Sequence, residues 1–108
     1  MQQTKTMAEA EKKLVNQLVD ELRAGRVMRG NTVVMRRKCG GKNCRCTRGE
    51  LHESLYVGQG TQGTTRMAYV PTDWEADVKE WVRRHQRVRK LVDRLSERSW
   101  RALRRRER

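Results

Sequence analysis

The sequence predicts an α+β protein: an N-terminal helix, a small antiparallel β-sheet carrying a zinc-knuckle-like loop, and a long basic C-terminal helix with coiled-coil-like packing. Three observations lead there. Apolar residues recur at helical spacing over residues 1–25, β-branched runs punctuated by glycine fill 26–70, and no glycine or proline interrupts the chain after Pro71. With 108 residues, 35% of them hydrophobic and no phenylalanine, the chain has room for a single domain with a thin core. The expected organisation is one domain, 1–108, built from a helix (1–25), a zinc-knuckle β region (26–70) and a long basic helix (71–108). A metal ion or a partner chain would supplement so small a core.

Each element has its own signal. Thr6 and Glu9 form a capping-box pattern, and Leu14, Val15, Leu18, Val19 and Leu22 make an amphipathic stripe that stops at Gly25. Residues 26–29 and 32–36 flank Gly30-Asn31, a dipeptide suited to a tight hairpin turn. A second, looser hairpin is expected from 55–57 and 66–70 across the glycine-rich stretch 58–63. Thr72 and Glu75 repeat the capping-box pattern, so one helix should run from residue 73 to about 106. Along it Trp74, Val78, Trp81, His85, Val88, Val92, Leu95, Ser99 and Ala102 alternate steps of four and three, the a/d seam of a coiled coil. The first helix, or a second copy of the chain forming a homodimer, would cover that seam.

The formal charge is +13, from 26 Lys and Arg against 13 Asp and Glu. It is unevenly spread: residues 1–25 are balanced, and the whole excess lies in the middle segment and the tail. Such an excess calls for a polyanionic partner. No apolar run approaches the roughly 20 residues of a membrane span, and the start lacks a secretory stretch, so a cytoplasmic protein with no membrane partner is expected. In that compartment three cysteines should be reduced, and their odd number argues against a closed disulfide set.

Cys39, Cys44, Cys46 and His52 fall within fourteen residues, spaced C-x4-C-x-C-x5-H. Three thiolates and an imidazole are one of the usual tetrahedral sets for structural Zn2+, and glycines at 40, 41 and 49 let the backbone curl around an ion. The alternative is three reduced thiols that only pack. A Cys3His site has no open coordination position, so it holds a fold and does not activate water. Around it stand Arg36, Arg37, Lys38, Lys42, Asn43, Arg45 and Arg48, a cationic set suited to phosphate, with Asn43 also able to reach a base edge. The long helix adds a second basic surface, in which Arg94, Arg98, Arg101, Arg104, Arg105 and Arg106 are expected to contact a nucleic-acid backbone. Two tyrosines, Tyr56 and Tyr69, fall short of an aromatic stacking platform. No paired carboxylates accompany either histidine, and no catalytic residue or enzymatic activity is expected.

The run Val33-Val34-Met35-Arg36-Arg37-Lys38-Cys39-Gly40, continuing through Lys42-Asn43-Cys44-Arg45-Cys46, Gly49-Glu50, His52 and Tyr69-Val70-Pro71, resembles a family of small bacterial and archaeal proteins. Their genes are often met near transposases and other mobile-element genes. The resemblance implies a mobile-element or phage context and makes the four ligands one unit, and it implies no biochemical activity. Members commonly carry Gly-Pro-Tyr after the histidine, where this chain has Glu53-Ser54-Leu55. The functional expectation is a zinc-stapled DNA-binding protein, a regulator or accessory factor of a mobile element, with DNA slightly favoured over RNA. An RNA binder or a protein-interaction module using the heptad seam is the alternative.

Overall fold

The computed structural model describes residues 7–37 and 52–106. Helix α1 (Glu9–Ala24) is followed by strands β1 (Asn31–Arg37), β2 (His52–Thr61) and β3 (Thr64–Val70), a 3-10 turn at Thr72–Trp74, and helix α2 (Glu75–Arg105). This is the expected α+β arrangement. The chain divides into two compact units, a sheet unit (Met28–Val82) and a helix unit (Met1–Val27 with Arg83–Arg108), and α2 contributes to both. None of the described helices is long and apolar enough to cross a membrane.

In the sheet unit the strands lie in the order β1-β2-β3, all antiparallel. Leu55, Val57 and Val70 point to one face and meet Val78 and Val82 of α2, with Met28 and Trp81 packed against them. These five buried side chains are worth on the order of 1.5–3 kcal/mol each in burial, and no charged group stands among them. Trp74 remains 47% exposed, although its ring meets that of Trp81 edge-on at 6.0 Å.

Two details of the sheet differ from expectation. Residues 26–29 do not form a strand, so Gly30-Asn31 is not a hairpin turn. The backbone groups that a strand would need are taken by α2: the Arg26 carbonyl accepts from Arg84 at 2.7 Å, and the Met28 N–H donates to the Trp81 carbonyl at 3.1 Å. Gly30 is instead the tight entrance to β1. Its φ is 155°, and a Cβ there would come within 2.8 Å of Val57 Cγ1 and 2.9 Å of the Gly58 carbonyl. The other hairpin is tighter than expected. Thr61 pairs with Thr64 across Gln62-Gly63, both with positive φ, which is the signature of a two-residue type I′ turn. Gly58 and Gly60, read from the sequence as loop, lie inside β2.

In the helix unit α1 begins later than Thr6 suggests. Ala8 is the cap, and its N–H donates to Glu11 Oε1 at 2.8 Å, so the reaching glutamate is Glu11 and not Glu9. α1 and α2 run antiparallel: Glu21 meets Arg84 and Arg87, whereas Ala10 and Lys13 share a cavity with Arg98 and Arg101. At 31 residues α2 is about 46 Å long. Its inward positions in this unit step through Arg84, Val88, Leu91, Leu95, Arg98 and Ala102. Val88, Leu95 and Ala102 belong to the expected seam, but Val92 is 46% exposed and Ser99 is exposed, their places taken by Leu91 and Arg98. The heptad register is therefore displaced by one residue at alternate positions, and it admits two arginines.

Candidate nucleic-acid interface

The expected metal ligands belong to the connection between β1 and β2. Arg37 ends β1 and is the register partner of His52, which begins β2, so the chain leaves and re-enters the sheet at one paired neck. His52 is exposed there. Cys39, Cys44 and Cys46 lie outside the described residues, as do Lys38, Lys42, Asn43, Arg45 and Arg48. Among the described residues no three His, Cys, Asp or Glu side chains gather to hold a metal. Arg36 is placed by β1 opposite Glu53, and its Nε donates to Glu53 Oε2 at 3.0 Å. That pair is exposed and worth less than about 1 kcal/mol, so an incoming phosphate can compete for Arg36.

The arginines of α2 divide into two groups. Arg84 is 8% exposed, its Nη1 donates to the Arg26 carbonyl, and its Nε lies 3.9 Å from Glu21 Oε1. Gly25 makes this possible, because a Cβ at that position would approach Arg84 Nη1 to 2.8 Å. Arg87 grips the same carboxylate with both prongs, Nε to Oε2 at 2.9 Å and Nη2 to Oε1 at 3.1 Å. These two arginines fasten α2 to α1. What the sequence could not reveal is the carboxylate that claims them, more than sixty residues away on another helix.

Farther along, Arg94, Arg98 and Arg101 do come together. They line a cavity of about 420 Å³ with Lys13 and Gln17 of α1, Leu14, Ala10 and Glu97. Lys13 and Gln17 were not singled out by sequence reasoning, since a lysine and a glutamine on a charge-balanced helix carry no signal. Arg104 reaches Glu97 at 3.6 Å in an exposed pair. Arg105 is the last residue of α2, and Arg106 follows with φ 58°, its N–H donating to the Leu103 carbonyl at 3.0 Å. That left-handed residue closes the helix and keeps Arg104 and Arg105 in its last turn, where cations complement the helix dipole.

The sheet carries a different surface. Tyr56 and Tyr69 are register partners on the face opposite the core, with rings 5.7 Å apart and edge-on, and Tyr69 is 56% exposed. Val33 and Met67, exposed as well, alternate onto the same side.

No curated protein and no solved structure matches the chain. A family profile, described as a domain of unknown function, matches residues 5–80. That stretch takes in α1, all three strands and the opening of α2, and it stops short of Arg84 and the cationic half of the helix. The chain therefore belongs to the DUF6788 family.

Proposed function

We propose that this protein binds nucleic acid, DNA in preference to RNA, along the cationic surface of α2, with a zinc ion closing the segment between β1 and β2. One observation carries the reading: from residue 83 to 106 eight exposed Arg and Lys side chains face only two exposed acids, Asp93 and Glu97. Seven of them stand on one continuous helix and Arg106 follows directly after it, so their spacing is held along a phosphate chain. Each phosphate they neutralise releases condensed counterions, which drives association.

The zinc part rests on the donor set. Cys39, Cys44, Cys46 and His52 suit a tetrahedral ion, and the paired neck at Arg37 and His52 brings the two ends of the ligand segment to the same place. With four protein ligands the ion would serve folding, turning Arg36, Arg37, Lys38, Lys42, Asn43, Arg45 and Arg48 into a fixed cationic surface. The resemblance to small proteins met beside transposases supports a regulator or accessory factor of a mobile element or phage, acting in the cytoplasm and without catalysis.

Native mass spectrometry of the full chain, with and without chelator, should show one zinc per chain and a complex with a short duplex. Fluorescence anisotropy should show duplex affinity falling with salt, with a log-log slope of several units. Chelation should weaken binding and unfold the cysteine segment. Salt-independent binding, or none, would transfer the protein to the class of protein-interaction modules.

A further inference from the structure

We infer that the cavity between α1 and the C-terminal half of α2 is a phosphate-binding site centred on Arg98. The inference rests on the nucleic-acid reading for the source of the phosphate, a backbone phosphodiester, and it stands on a separate observation for the site itself.

That observation is a comparison inside one helix. Arg84 and Arg98 occupy equivalent inward positions of α2, fourteen residues or two heptads apart. At Arg84, α1 supplies the carboxylate of Glu21 and the chain supplies the Arg26 carbonyl. At the level of Arg98, α1 supplies Lys13, Gln17 and Ala10, and no acid. The Nε of each arginine is buried and meets no hydrogen-bond acceptor among the described residues. That of Arg84 has the Glu21 carboxylate 3.9 Å away, whereas that of Arg98 has no acid of α1 in its cavity. A buried guanidinium N–H without a partner costs roughly 1–3 kcal/mol or more, so the fold holds this group in a state that an acceptor from outside would relieve.

The rest of the cavity selects the acceptor. Lys13, Arg94 and Arg101 surround Arg98, and Gln17 can donate through its amide. The cavity's one acid, Glu97, is drawn toward Arg104. Four cations against one acid repel a cationic occupant and favour an anion. A volume of about 420 Å³ holds a phosphate group together with several waters. Leu14 makes the buried apolar floor and lowers the local dielectric, which strengthens each charge-assisted bond. A tetrahedral dianion or diester with several oxygens suits a cavity lined by four cations better than a planar carboxylate does. The site thus lies on the same helix as the outer cationic surface but differs in kind, because it is concave and partly desolvated.

The test uses the full chain with two probes, inorganic phosphate and a short oligonucleotide, and two variants, Arg98→Met and Arg98→Lys. In wild type, phosphate at constant ionic strength should raise Tm and shift the Arg98 Nε–Hε resonance, and chloride should do neither. Arg98→Met should be at least as stable as wild type without phosphate, since it removes a half-buried guanidinium whose Nε has no acceptor. It should lose the phosphate-dependent rise in Tm and reduce the salt slope of oligonucleotide binding by about one unit. Arg98→Lys should recover part of both. Arg98→Met that binds oligonucleotide with unchanged affinity and slope sinks the site and leaves the nucleic-acid reading standing. An Arg98-dependent response to phosphate in a protein that binds no oligonucleotide upholds the site and removes the reading, assigning the pocket to free phosphate. Strong destabilisation by Arg98→Met in phosphate-free buffer also overturns the inference, because Arg98 would then have its partners within the fold.

Discussion

The two units bury different chemistry. In the sheet unit the inner face of α2 is Val78, Trp81 and Val82 against Leu55, Val57 and Val70, a wholly apolar contact. In the helix unit the same helix turns Arg84 and Arg98 inward beside Leu91. The first arrangement depends on shape and apolar area, and it is indifferent to salt and pH. The second depends on whether each guanidinium finds an acceptor. One unit is thus held mainly by burial, and the other trades part of its apolar seam for charge, which is the property a ligand can exploit.

Core truncation in the sheet unit should break the comparison most visibly. Leu55→Ala removes a side chain that is 5% exposed at the centre of the sheet, and it should cost about 3 kcal/mol by urea denaturation, with no dependence on salt. In the helix unit the sensitive residue is a carboxylate. Glu21→Ala strips Arg84 and Arg87 of their shared counter-charge and should cost about 2 kcal/mol, less than a fully buried pair because Glu21 keeps some contact with solvent. Arg84→Met should cost less than Glu21→Ala, since it leaves Glu21 still gripped by Arg87. Equal costs for the two variants would mean that Arg84, and not the shared carboxylate, is what holds the two helices together. The smallest effect is expected in the sheet: Gly60→Thr, at a strand position where an added Cβ meets nothing within 4 Å, should raise stability by roughly 0.5 kcal/mol, read as a rise in the urea midpoint.

Much of the fold was legible because its signals are local. The stripe from Leu14 to Leu22, the stop at Gly25, the β-branched runs and the uninterrupted stretch after Pro71 each act within a few residues. The misreadings share a cause. Residues 26–29 look like a strand, yet their backbone groups go to Arg84 and Trp81. The seam looks continuous through Val92 and Ser99, yet α1 selects Leu91 and Arg98. An arginine at an inward helical position is invisible to a pattern that scores only apolar residues. At the candidate interface Arg94, Arg98 and Arg101 were legible as basic residues on one helix, but their meeting with Lys13 and Gln17 was not.

By itself the sequence determined the kinds of element, their order and the total charge, because propensity, turn chemistry and side-chain ionisation belong to single residues and their near neighbours. Only the tertiary structure decided which arginines are consumed and which stay available. A guanidinium's role depends on the groups the fold brings to it: Arg84 receives the Arg26 carbonyl and, from the other end of the chain, the charge of Glu21, whereas α1 brings no acid to the cavity at Arg98.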